Sequence, residues 1–113
     1  MEILYKKEDK LLEVKITEEI DHHTTEKMRR RMDYEIQRHM PRKVIFDFNC
    51  VTFMDSAGIG MVIGRYKLIS MLGGSLEIKN IRNNIKKVLE MSGIHKIVKL
   101  YGEEEGKTNA KYI

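Results

Sequence analysis

Ser56 lies within Phe53-Met54-Asp55-Ser56-Ala57-Gly58-Ile59-Gly60. This stretch passes from a strand-like run through a short loop into a segment with helical spacing. A serine at or next to a helix N-terminus can cap backbone N–H groups that have no partner inside the helix. The same position also suits a phosphate, because the free N–H groups and the positive end of the helix dipole favour anions there. Phosphorylation would leave the fold intact and turn a neutral hydroxyl beside Asp55 into a strongly acidic knob. A partner surface shaped around the neutral form would then meet like-charge repulsion and desolvation. Gly58 and Gly60 carry no side chains, so a partner or a kinase active site can approach that turn closely. Close packing of the helix on a sheet is the plainer account of the same glycines, and the two accounts are compatible.

Other chemistries find less support. The four histidines His22, His23, His39 and His95 form no triad signature with Ser56, and the glycine that a nucleophile elbow places two residues before its serine is missing. Gly58-x-Gly60-x-x-x-Gly64 is one residue off the dinucleotide fingerprint. No phosphate-binding loop of the G-x-x-x-x-G-K-[ST] type occurs. His22 and His23 are sequence neighbours without the four-ligand spacing of a zinc site, so no metal and no cofactor are expected. Cys50 is the single cysteine, which rules out an internal disulfide; a small buried or half-buried filler is its expected role.

The segments that would position Ser56 can be read from periodicity. Ile3 and Tyr5 alternate with Leu4 and Lys6, and after the polar turn Lys7–Lys10 the residues Leu12, Val14 and Ile16 alternate with Glu13 and Lys15. This is a β-hairpin pattern in a sheet whose second face is at least partly wet. Asp21-His22-His23-Thr24-Thr25-Glu26 is rich in helix-capping residues. Met28, Met32, Ile36 and Met40 then form one helical stripe that Pro41 ends. The near-continuous apolar run Lys43–Phe48 predicts a central strand covered on both faces. From Ser56 onward, Ile59, Val62, Ile63, Tyr66 and Ile69 fit a helix stopped by Gly73-Gly74. Leu76 and Ile78 mark a strand, Ile85, Val88 and Leu89 a third helix ending near Gly93, and Ile97, Val98 and Leu100 a last strand. The order β-β-α-β-α-β-α-β predicts an α/β domain. Its mixed sheet of four to five strands carries helices mainly on one face, with right-handed crossovers between the parallel strands.

At 113 residues with 42% hydrophobic and 34% charged residues, the chain has the composition of one soluble globular domain. The net charge of +4 is mild and the signs are interleaved, so a nucleic-acid partner is not indicated. The cluster Arg29-Arg30-Arg31 lies within a helical pattern and reads as a solvated face. The longest apolar run, Ala57–Gly64, is far too short for a membrane span. The N-terminus mixes Glu and Lys with no signal-peptide core, and a cytosolic protein is expected.

Four blocks carry a resemblance: Asp21-His22-His23-Thr24, Phe53-Met54-Asp55-Ser56-Ala57-Gly58, Gly64-Arg65-Tyr66-Lys67 and Met91-Ser92-Gly93-Ile94. In this order they resemble the anti-sigma factor antagonists of the STAS domain family, most closely the sporulation type that counters the anti-sigma-F factor. The resemblance covers residues 1–101 and implies a STAS domain over that span, with 102–113 as a polar tail or short helix. It implies a partner switch. The unphosphorylated antagonist binds an anti-sigma factor that is also a serine kinase and so frees the sigma factor. The kinase then phosphorylates the antagonist, the complex dissociates, and a PP2C-type phosphatase restores the hydroxyl. By position, Ser56 is the implied phosphoacceptor and Asp55 its motif neighbour. The resemblance also implies that Asp21 falls at the kinase-facing surface, that Gly58 and Gly60 shape the loop, and that the free protein is a monomer. Ala57 departs from the second serine often found in the motif, which leaves Ser56 the only acceptor there. The short charged tail implies an abbreviated final helix. A nucleotide- or small-ligand-binding STAS module without a phosphoswitch, and a scaffold that is never phosphorylated, are the alternative readings.

Overall fold

The computed structural model describes residues 1–103. In chain order the elements are β1 (Glu2–Lys6), β2 (Leu11–Lys15), α1 (Thr25–His39), β3 (Lys43–Asp47), α2 (Ser56–Met71), β4 (Ser75–Ile81), α3 (Asn83–Met91), a 3₁₀ turn (Ile94–Lys96) and β5 (Lys99–Gly102). The five strands lie side by side in sequence order, with β1 antiparallel to β2 and every later pair parallel. Each parallel step moves one place in the same direction through a crossover helix. Right-handed crossovers in one direction put all three helices on the same face of the sheet.

Register explains the core. Leu12 pairs with Val44 and Val44 with Leu76, while Val14 pairs with Phe46 and Phe46 with Ile78. Two continuous apolar rows thus cross the sheet, and all of these residues are buried. Met28, Met32 and Ile36 of α1, Val62 and Ile69 of α2, and Ile85 and Leu89 of α3 cover those rows from above. The opposite face is polar and open. Glu13 and Glu77 flank Ile45 there, and ion pairs run from Lys6 to Glu13 at 3.3 Å and from Lys43 to Glu77 at 3.1 Å.

Several expectations are corrected. β3 is covered on one face only: Val44 and Phe46 point into the core, whereas Ile45 and Asp47 line the open face. Its apolar run is longer than its buried set because Ile45 is only half-buried. Met40 drops out of the α1 stripe at 53% exposure. Met40 takes a left-handed conformation (φ 49°) at the helix end just before Pro41, and its side chain turns outward. Ile97 and Val98 precede β5 instead of starting it. Val98 is buried, but Ile97 is exposed in the turn. Cys50 is exposed, because the chain turns after β3 through a Val51 N–H to Phe48 carbonyl bond of 2.9 Å and Val51 takes the core position.

The stop after α2 follows expectation, with Gly73 in the left-handed region at φ 86°. Among the described residues, no helix is long and apolar enough to cross a membrane. The expected polar tail or short helix at 102–113 lies outside the described residues apart from its first two positions.

Candidate functional site

Ser56 sits at the edge formed by the C-terminal ends of the parallel strands, where open α/β sheets present their ligand-binding loops. The loop leaving β2 and the loop leaving β3 meet there. Ile20 and Met54 form a parallel bridge, in which the Ile20 N–H donates to the Phe53 carbonyl and the Asp55 N–H to the Ile20 carbonyl, both at 3.1 Å. Arg82, in the connection between β4 and α3, and Asn80, near the end of β4, brace the second loop and the end of β3. Arg82 Nη2 donates to the Asn49 carbonyl at 3.0 Å, and Asn80 Nδ2 to Asp47 Oδ1 at 3.1 Å.

Asp55, not Ser56, caps α2. Its backbone is extended, and its Oδ1 accepts from the N–H groups of Ala57 at 2.9 Å and Gly58 at 3.3 Å. The other oxygen, Oδ2, accepts from the His22 N–H at 3.2 Å and lies 3.5 Å from His22 Nδ1. One carboxylate therefore caps the helix and pins the neighbouring loop to it. Desolvation pushes the Asp55 pKa up. Hydrogen bonds from the backbone of Gly58, His22 and Ala57, with a smaller contribution from the His22 side chain, outweigh that and hold the group below the ordinary aspartate value.

Because Asp55 takes the capping role, the Ser56 side chain is exposed at the first position of the helix. Asp21 shapes the other loop: its Oδ1 accepts from the N–H groups of His23 at 2.8 Å and Thr24 at 3.1 Å. Asp21 and Ser56 thus belong to two loops that Asp55 ties together.

The glycines separate into two kinds. Gly58 is buried, and a Cβ there would come within 2.6 Å of Met54 Cγ and 2.8 Å of Ile20 Cγ2. It lets the helix press against the Ile20–Met54 bridge. A Cβ at Gly60 would meet nothing within 4 Å, and Gly60 is exposed. Ala57, just before Gly58, is half-buried.

Two residues of this surface escaped sequence reasoning. Phe53 is 48% exposed while its neighbour Met54 is buried, an alternation visible in the sequence but masked by the apolar character of both. His22 contacts Asp55 and lies against His23 with ring centroids 3.9 Å apart and planes tilted by 40°, which nothing in the sequence signals. Among the described residues, no cluster of three or more His, Cys, Asp or Glu side chains is placed to hold a metal ion.

The family model described as the STAS domain matches residues 2–106. The chain belongs to the STAS domain family. Within it the chain falls among the anti-sigma factor antagonists. It is 37% identical over 94 residues to the anti-sigma F factor antagonist of Paenibacillus polymyxa, covering 83% of this chain and 80% of that protein. Two solved structures share the domain's fold and part of its sequence. The anti-sigma factor antagonist SpoIIAA in its unphosphorylated form superposes with a TM-score of 0.72 at 27% identity, covering 93% of this chain and 91% of that one. The Bacillus cell fate determinant SpoIIAA in the phosphorylated form gives 0.65 at 26% identity, covering 90% and 92%. A STAS domain of this type is a regulatory module, not a catalyst.

Proposed function

We propose that this STAS domain is an anti-sigma factor antagonist whose binding to an anti-sigma factor with serine kinase activity is switched off by phosphorylation of Ser56. The observation that carries the reading is the division of labour at the start of α2. Asp55 caps the helix, which leaves Ser56 exposed and free of the capping role at the helix end that best tolerates a phosphate. Asp21, Asp55, Ala57, Gly58 and Gly60 complete the docking region. Asp21 and Asp55 set the loop shapes, Gly58 the close approach of the helix, and Ala57 and Gly60 an outer surface free of bulky side chains. A PP2C-type phosphatase would reset the switch.

The test is intact mass after incubation with Mg-ATP and the cognate anti-sigma kinase. Wild type should gain one phosphate and Ser56→Ala none. Binding of Ser56→Asp to the kinase should weaken by at least about tenfold, as for a like charge brought into a complementary interface. If the kinase binds wild type but adds no phosphate, and Ser56→Asp binds equally well, the chain is a docking scaffold and not a switch.

A further inference from the structure

Among the described residues, Arg65 is the one buried charged side chain. Its side chain is 8% exposed and Nε lies 2.7 Å from Asp33 Oδ1. That N–H is not aligned on the carboxylate, and neither Nε nor Nη1 finds a hydrogen-bond acceptor among the described residues. A guanidinium is rarely left this short of acceptors when buried, since each missing bond forfeits the hydration it gave up. Arg65 also lines a groove of about 450 Å³ between α1 and α2, with Arg29 and Glu26 on the α1 side. Ala57, Gly60, Gly64 and the buried Met61 form the rest of the α2 side, and a Cβ added at either glycine would meet nothing within 4 Å. The Glu26 carboxylate is held by Arg30 at 2.8 Å. Arg29 and Arg65 thus bring two guanidinium groups to one groove, and Asp33 is the carboxylate paired with Arg65. Burial lowers the Arg65 pKa, Asp33 raises it and Arg29 lowers it again.

We propose that this groove is part of the docking surface and receives an acidic side chain, Asp or Glu, from the protein that binds beside Ser56. The inference rests on the function proposed above. A planar guanidinium presents paired donors matched to a carboxylate, and the wall of small residues leaves room for a side chain to reach it. The groove begins at Ala57, the residue after Ser56, so a protein seated on Ser56 covers it. It is also open and wider than a single small anion needs.

The experiment measures binding of the cognate anti-sigma kinase to wild type, Gly64→Leu and Arg29→Glu, with thermal unfolding of each free protein as a control. Gly64→Leu fills the groove while improving helix propensity, so it should melt no lower than wild type yet bind at least about tenfold more weakly. Arg29→Glu should lose affinity by a similar factor, as for reversal of one member of a charge pair. If wild type binds and both variants bind within about twofold of it, the groove inference is overturned while the switch stands. If wild type does not bind at all, the functional reading fails and the inference falls with it. Should millimolar inorganic phosphate shift the Gly60 and Gly64 amide resonances while neither variant changes partner affinity, the groove is a small-anion site and the docking proposal is wrong.

Discussion

Gly58 and Gly60 stand on the same helix two residues apart and answer to opposite constraints. A methyl group at Gly58 would collide with Met54 and Ile20 on the bridge that joins the two loops. Gly58→Ala is expected to lower stability by about 1–3 kcal/mol, the range for overpacking. At Gly60 the methyl would point into open space, so Gly60→Ala should raise stability by about 0.5–1 kcal/mol through helix propensity. Urea unfolding of the two variants checks both signs. Asp55 adds a pH dependence. Its pKa in the folded protein is lowered by the N–H groups it accepts from, so its contribution is complete above the unfolded value and is lost as pH falls through the folded one. Between about pH 5 and about pH 3, wild type should therefore lose more stability than Asp55→Asn does. Equal acid slopes for the two proteins would show that the clasp on Ala57, Gly58 and His22 is not held by charge.

At the scale of elements, most of the architecture was legible because strand and helix periods differ and because Pro41 and Gly73 leave unambiguous stops. The hairpin, the order of crossovers and the single helical layer follow from those signals. What the sequence hides is the direction of individual residues where the pattern saturates. Ile45 looks as apolar as Val44 and Phe46, yet it faces out because pairing register, not composition, decides the face. α2 is apolar around most of its circumference, so spacing alone did not reveal that Gly58, Met61 and Arg65 are buried while Ile59, Ile63 and Tyr66 are only half-buried. The site was partly legible: the motif located Ser56, but only the backbone at Asp55 shows which residue caps. The pair formed by Arg65 and Asp33 also emerges only from the packing of α1 on α2. Asp33→Ala would leave a buried guanidinium without its counter-charge and should destabilise the fold by about 2–3 kcal/mol, discounted from a fully buried pair because Asp33 retains some exposure. The double replacement Asp33→Leu with Arg65→Met should recover most of that loss, since apolar groups of similar size often substitute for a buried pair. A double variant no more stable than Asp33→Ala would show that the pair shapes the packing instead of merely neutralising it.

Over the whole molecule, the question is whether a switch at Ser56 needs the fold to move. The cap, the bridge between Ile20 and Met54 and the bonds from Arg82 and Asn80 lock three loops to one another on a sheet with a continuous core. This argues for a change of charge on a rigid surface. Phosphate at Ser56 would take the net charge of +4 down by about 2, all of it at one helix end. Comparison of amide spectra and melting temperature for the unmodified and Ser56-phosphorylated protein distinguishes the two mechanisms. Under the proposed reading, shifts stay within the loops around Ile20–Thr24 and Phe53–Gly60, and the melting temperature holds or rises slightly because an anion at the helix N-terminus is favourable. Shifts that spread through α3 and β5, or a melting temperature lowered by more than about 5 °C, corresponding to about 1 kcal/mol for a domain of this size, would mean that the phosphate breaks the clasp. The partner would then be reading a change of shape, not a change of charge.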